Sequence, residues 1–243
     1  MNGEERVPKS NINKEFSRFA QQYQQYNVIQ AQVATHLVST LEKTNYDTII
    51  DMGCGAGEVY RNIQAQNITF NHFVALDFSS QMLEIHPSSP KIIKKCVDFN
   101  QAQAFESCYT SQEDIFISSS ALQWSKDLDF TFAQIAQIAP QIHVALFSSN
   151  TFKTLHSIAN ISSPIYSTQA LKTYISKYYH AQYEIKSYKL YFNNTREMFS
   201  YIKKSGVSAG EKRLSFKEIK KLMLDYPLDY LEFEVLFVQG MRL

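Results

Sequence analysis

Apolar residues near the start of the chain recur at helical spacing. Phe16, Phe19, Ala20 and Tyr23 fall at i, i+3, i+4 and i+7, and Ile29, Val33 and Leu37 continue in steps of four. This predicts a helical arm over 12–40, with a break near Asn27. The period then changes. Thr48-Ile49-Ile50 is a short apolar run entering a glycine-rich turn, as a buried parallel strand does. A helix is expected over 58–66 and a second strand over 72–76, ending at Asp77. Ser79 is placed to cap a short helix with Met82 and Leu83 on its buried side. Residues 92–97, 114–118 and 142–147 read as three more strands, and 127–139 as an amphipathic helix ended by Pro140. Beyond them, 167–179 reads as a helix and 183–192 as a long strand. Helices follow over 195–204 and 215–224, around the loop signal Ser205-Gly206-Val207-Ser208-Ala209-Gly210. Leu231, Phe233 and Val235 alternate with Glu232 and Glu234, which marks a last, partly exposed strand.

Strands alternating with helices predict an α/β fold of Rossmann-like type: a mostly parallel, seven-stranded sheet with helices on both faces. The 243 residues suit one domain over 1–243, with residues 193–227 as a helical insertion before the last strand. Hydrophobic residues make up 44%, enough for a sizeable core. No apolar run approaches the roughly 18 residues of a membrane span, and the polar first twenty residues lack the apolar stretch of a secretory signal. Cys54, Cys96 and Cys108 form neither a disulfide framework nor a zinc pattern. A reducing cytoplasm is the expected location. Net charge is only +1, but residues 186–221 alone hold ten Lys or Arg against three Glu. That segregation points to a surface for an acidic partner.

Chemistry concentrates at Asp51-Met52-Gly53-Cys54-Gly55-Ala56-Gly57, where the first strand ends and a helix opens. Glycine there lets backbone approach a ligand, and ligands of open α/β sheets bind outside the carboxyl ends of the strands, where strand order reverses. A dinucleotide fold needs G-x-G-x-x-G, but the third position here is Glu58, whose charge would oppose a pyrophosphate. No Gly-Lys-Ser/Thr follows, so a P-loop is excluded. The pattern instead resembles motif I of the class I methyltransferases. Their ligand, S-adenosylmethionine, is a sulfonium cation without phosphate, which suits the acidic Asp51. Asp77, at the second strand's end, is placed to accept both ribose hydroxyls. The resemblance gives Asp98 the adenine amino group. Cys54, Phe78, Met82, Phe99 and Ser119 complete the expected cofactor contacts.

The run Ser118-Ser119-Ser120-Ala121-Leu122-Gln123-Trp124 follows the fourth strand, where class I methyltransferases face the transferable methyl group. It lacks the Asn/Asp-Pro-Pro-aromatic signature common in enzymes that methylate amide or base nitrogens, and it holds no general base. A carboxylate acceptor is already deprotonated and needs none. Catalysis then reduces to alignment and exclusion of water, with Gln123 and Trp124 as the wall.

These residues resemble the malonyl-[acyl-carrier protein] O-methyltransferase family, which acts early in biotin synthesis. Phe16, Ala20 and Tyr23 match its arm, Asp51 with its three glycines match motif I, and Ser119-Ser120-Ala121-Leu122-Gln123-Trp124 matches S-N-x-A-x-Q-W with one residue fewer and no Asn. Ile202-Lys203-Lys204-Ser205-Gly206-Val207 and Leu214-Ser215 resemble the family's L-K-x-x-G-A segment and the helix start after it. Ala139-Pro140-Gln141 departs from the family's R-P-x-G and removes an arginine, leaving Lys153 and Arg196 as candidate carboxylate-binding cations. The resemblance implies methylation of the malonyl carboxylate, with S-adenosylhomocysteine as co-product. Tyr23 would cover the site and donate to the carboxylate. Lys203, Lys204, Lys212 and Arg213 would steer an acidic acyl carrier protein toward a monomeric enzyme that meets neither nucleic acid nor membrane. The residues leave open another small-carboxylate substrate such as trans-aconitate, since trans-aconitate methyltransferases share a similar A-x-x-W stretch. They also leave open an RNA-binding or non-catalytic S-adenosylmethionine-binding protein.

Overall fold

A computed structural model describes residues 26–106, 114–204 and 215–243. The described chain begins with α1 (Val28–Ser39), β1 (Asn45–Met52), α2 (Glu58–Ala65), β2 (Thr69–Asp77), α3 (Ser80–Ile85) and β3 (Ile92–Cys96). After β4 (Ile115–Ser119) come a 3-10 turn at Leu122–Trp124, α4 (Leu128–Ile138), β5 (Gln141–Phe147), α5 (Lys153–Ala159) and α6 (Thr168–Ile175). The chain closes with β6 (Tyr179–Tyr191), α7 (Thr195–Lys204), α8 (Phe216–Asp225) and β7 (Tyr230–Arg242). The strands form one sheet in the order β3-β2-β1-β4-β5-β7-β6. β1 to β5 run parallel, and β7 is antiparallel to both β5 and β6. β1 lies between β2 and β4, so strand order reverses at its carboxyl end, as its glycine-rich exit predicts.

Period-two alternation divides the core into two layers. Ile49, Phe73, Ile115, Ile117 and Phe147 meet Val33 and Leu37 of α1 and Ile63 of α2 on one face. Ile50, Phe116, Val144 and Leu146 meet Phe132 and Ile135 of α4 and Leu171 of α6 on the other. Caps fix several helix starts, the one at Ser79 as expected. Ser79 accepts from the Met82 N–H, Asp127 from Phe130, and Ser215 forms a capping box with Glu218.

Two elements differ from the sequence expectations. The helix expected over 167–179 stops at Ile175, because Tyr179 pairs with Arg242 to begin β6 and its hydroxyl donates to the Ala139 carbonyl at 2.9 Å. The helix α5 was not expected at all. Phe152 before it has φ 58°, and no side chain caps it, so none of the usual start signals exists.

His143 on β5 is 8% exposed, and its Nε2 is buried without a partner. Burial pushes its pKa from 6.5 down to about 4, against a smaller pull upward from a hydrogen bond to the Thr40 backbone. The folded state therefore prefers the neutral ring. Stability present above the unfolded pKa of 6.5 is lost as pH falls toward 4, by up to about 3 kcal/mol from this group. Urea titrations across that interval should show a shallower acid loss for His143→Gln than for the unsubstituted protein; parallel curves would exclude His143 as the cause.

Candidate cofactor and methyl-transfer site

The glycine loop is tied to β2 at its base. The Gly53 and Cys54 N–H groups both donate to the Leu76 carbonyl, at 2.7 and 3.0 Å. A Cβ on Gly53, where φ is 74°, would stand 2.2 Å from the Cβ of Ala121, so the loop after β4 packs directly on motif I. A Cβ on Gly57 would strike Pro87 and His86 within 3 Å. Gly55 faces open space, with nothing within 4 Å of a Cβ placed there. The loop is thus gripped at both ends and bare in the middle, where a ligand could lie against its backbone.

Two carboxylates flank this space. Asp51 is 0% exposed and neither of its oxygens has a partner. Burial, and then the charge of Asp77, hold its pKa well above the usual carboxylate range. A cation beside it would reverse that balance, so these orphaned oxygens fit a positively charged ligand. Such binding should release a proton and tighten as pH rises. Calorimetry of S-adenosylmethionine binding in buffers of different ionisation enthalpy would read that proton, and its absence would remove Asp51 from the explanation. Asp77, 7% exposed, receives the Gly55 N–H on Oδ2 at 2.8 Å and the Ser79 N–H on Oδ1 at 2.9 Å. Burial raises its pKa, although the Ser79, Gly55 and Phe78 N–H groups oppose the shift. Each oxygen keeps a second lone pair for a ligand hydroxyl.

Asp98 is half-buried after β3, and its Oδ1 receives the Asn100 N–H and Nδ2, at 3.0 and 2.8 Å. Phe99 and Met82 are buried, while Phe78 is half-buried. Cys54 is buried, and its thiol pKa is well raised by burial and then by Asp51 and Asp77, which suits a space-filling role rather than a nucleophile.

After β4, the Oγ atoms of Ser119 and Ser120 are buried without partners. Ser120 has φ 60° where the resembled family carries Asn, a residue that tolerates this region better. Its N–H donates to Ala145, fixing the turn against β5. Gln123 is 3% exposed; its Nε2 donates to the Ser120 carbonyl at 2.7 Å, and its Oε1 has no partner. Trp124 is partly buried and packs against the core beneath α4. Asp51, Ser119, Ser120 and Gln123 thus leave unpartnered polar atoms at the carboxyl edge of β1 and β4, as a preformed polar site does.

Tyr23, Lys212 and Arg213 lie outside the described residues. Lys203 and Lys204 end α7, and only their backbone is described. Lys153 and Arg196 are both exposed.

Sequence reasoning missed two features. Glu58 does not stand free at the cofactor loop. Its Oε1 receives Asn27 Nδ2 at 2.9 Å and the Arg61 guanidinium at 2.6 Å, while Arg61 also donates to the Ala56 carbonyl. The root of the arm is thereby bound to the loop. The second feature is a hydrogen-bonded rim along the sheet edge. The Lys126 N–H donates to Asn100 Oδ1, the Tyr166 hydroxyl to the Lys126 carbonyl, and the Ser149 N–H to the Tyr166 carbonyl. The rim reaches Glu234 on β7, whose Oε1 accepts from Ser148, Asn150 and Thr168. Burial works against ionisation of Glu234, but these bonds outweigh it and hold its pKa low. The alternation of the last strand hinted at an outward Glu234 but not at its partners.

A family model described as a methyltransferase domain matches residues 50–140, from β1 to the loop before β5. The malonyl-[acyl-carrier protein] O-methyltransferase of Haemophilus ducreyi is 24% identical over 233 residues, covering 91% of this chain and 89% of that protein. Its Haemophilus influenzae counterpart is 23% identical, covering 90% and 86%. The protein of that name from Brevibacillus brevis is 29% identical, over 62% of this chain and 57% of its own length. Among solved structures, the Bacillus subtilis YcgJ protein superposes with a TM-score of 0.62 at 12% identity, covering 86% of this chain and 97% of that one. Phosphoethanolamine N-methyltransferase 2 of Haemonchus contortus, solved with S-adenosyl-L-methionine, gives 0.56 at 14% identity, covering 97% and 61%. With the motif I loop at the strand-order reversal, the methyltransferase-domain match and these relatives, the chain is a class I S-adenosylmethionine-dependent methyltransferase, similar in sequence to the malonyl-[acyl-carrier protein] O-methyltransferases.

Proposed function

We propose that the protein methylates the free carboxylate of a malonyl group carried as a thioester on an acyl carrier protein, an early step of biotin synthesis. The observation that carries this reading is the turn Ser119-Ser120-Ala121-Leu122-Gln123-Trp124, which packs on Gly53 and presents no titratable side chain to the methyl-transfer space. An acceptor that must lose a proton is poorly served there, whereas a carboxylate arrives ready to react. The names of the relatives support the same acceptor.

S-adenosylmethionine supplies an electrophilic methyl group on a sulfonium. The residues supply position. Asp77 would hold the ribose hydroxyls while keeping its bonds to Gly55 and Ser79. Asp51 would face the cationic end, Asp98 the adenine amino group, and Phe78, Met82 and Phe99 the adenosine faces. Cys54 and Ser119 would complete the cradle. Gln123, held by the Ser120 carbonyl, and Trp124 would close the methyl-transfer space against water, so that the carboxylate oxygen meets the methyl in line. Tyr23 would cover the site from the arm. Lys203, Lys204, Lys212 and Arg213 would meet the acidic carrier, and residues 193–227 would form the docking insertion of a single-domain, monomeric, cytoplasmic enzyme. Among the described residues no helix is long and apolar enough to cross a membrane.

The test is a side-by-side comparison of malonyl-acyl carrier protein, malonyl-coenzyme A and trans-aconitate as acceptors. The carrier-bound substrate should have the highest kcat/KM. That preference should fall with salt, and with Lys203→Glu and Lys204→Glu together. Equal rates on trans-aconitate would overturn the reading, and strong salt-dependent RNA binding would redirect the basic surface to nucleic acid.

A further inference from the structure

β6 runs antiparallel to β7, and β7 antiparallel to β5, so β6 ends at the same sheet edge as β5. An open groove of about 440 Å³ lies at that end. Leu190 and Phe192 form one wall, Ser200 and Tyr201 of α7 a second, and Tyr26 and Val28 the wall nearest the cofactor loop. Tyr26 and Val28 flank Asn27, which is 4% exposed and is bound to Glu58, the residue that follows Gly57. One end of the groove is therefore fixed to motif I. Its other side follows α7, which runs on into the basic stretch around Lys203 and Lys204.

We infer that this groove receives an extended amide-bearing chain of the pantetheine class, through which the thioester acceptor reaches the methyl-transfer space. The inference rests on the proposed malonyl-thioester reaction. The lining matches such a chain: aliphatic and aromatic walls for its methylene and dimethyl carbons, with a few polar groups for its amides. The volume falls in the range of about 300–1,000 Å³ typical of sites that bury a ligand of this size. Charge separates two acceptor classes. Among the described residues the only charged one lining the groove is Glu197, with no Lys or Arg. A free tricarboxylate finds no counter-charge there, whereas an uncharged linker needs none. The net basic segment 186–221 begins on β6 and continues through α7, and both elements supply lining residues, so an acidic protein at the linker's far end is complementary in charge to the segment that forms these walls.

Val28 is 38% exposed and Ser200 half-buried, so Val28→Trp and Ser200→Trp can each fill the groove from a different wall. Two acceptors are compared, malonyl-pantetheine and the short thioester malonyl-N-acetylcysteamine, with S-adenosylmethionine affinity measured in parallel to verify the fold. Both variants should lower the ratio of kcat/KM, long over short acceptor, by about tenfold while still binding S-adenosylmethionine. An unchanged ratio in both folded variants overturns the groove assignment and leaves the malonyl reaction standing. Equal losses on both acceptors also overturn it. If the unsubstituted protein turns over neither thioester, the malonyl reading itself fails and the inference falls with it.

Discussion

Asp77→Ala should weaken S-adenosylmethionine binding by at least about a hundredfold. The magnitude follows from two hydrogen bonds between ribose hydroxyls and an ionised acceptor, each contributing about 1.5–3 kcal/mol. Asp77→Ala also leaves the Gly55 and Ser79 N–H groups without their acceptor, at about 1–3 kcal/mol for each donor that stays buried, so the variant's unfolding midpoint is measured beside its affinity. Asp77→Asn should fail nearly as badly. Its amide offers one acceptor oxygen where Gly55 and Ser79 each present an N–H to a separate oxygen, so its NH₂ would face a donor. Isothermal titration with S-adenosylmethionine and S-adenosylhomocysteine measures both variants. A dissociation constant within about threefold of the original for Asp77→Ala would remove the ribose role, since even one charge-assisted bond exceeds that.

Gly53→Ala is the second large effect. The new Cβ would lie 2.2 Å from the Ala121 Cβ, a distance that forces either the glycine loop or the turn after β4 to move. Both carry the site, so the displacement reaches cofactor and acceptor sides together. The left-handed backbone adds about 1–2 kcal/mol for a residue with a Cβ. Methyl transfer should fall by more than about a hundredfold, because even small misplacement of reacting groups is costly. A second substitution, Ala121→Gly, removes the clash but not the backbone cost, so the double variant should recover part of the activity. A double variant no better than the single would show that the two loops do not meet as described.

Much of the fold around the candidate site was legible in the chain because its signals are local. Asp51 to Gly57 occupies a strand end and a helix start within seven positions, and Asp77 closes the next strand. Ser79, Asp127 and Ser215 announce their helices through bonds that span three residues. What escaped depends on distant partners. Asn27 and Glu58 meet across 31 positions, and Ser148 and Glu234 across 86, so no periodicity reports them. The excess helix over 167–179 failed for the same reason: Tyr179 has an apolar face suited to either structure, and the pairing of β6 with β7 decides it. Glu58 was read from spacing as a residue that disfavours a pyrophosphate. The structure gives it a further task, joining the arm to motif I through Asn27 and Arg61.

The reaction proposed for this protein is methyl transfer from S-adenosylmethionine to a carrier-bound malonyl carboxylate. Its most direct test is the intact mass of malonyl-acyl carrier protein after incubation with this protein and S-adenosylmethionine. The expected product is heavier by one CH₂, the methyl group having replaced the carboxyl proton, and it is absent when Asp77→Ala replaces the unsubstituted protein. A carrier protein of unchanged mass, alongside methyl transfer to trans-aconitate by the same preparation, would contradict the account.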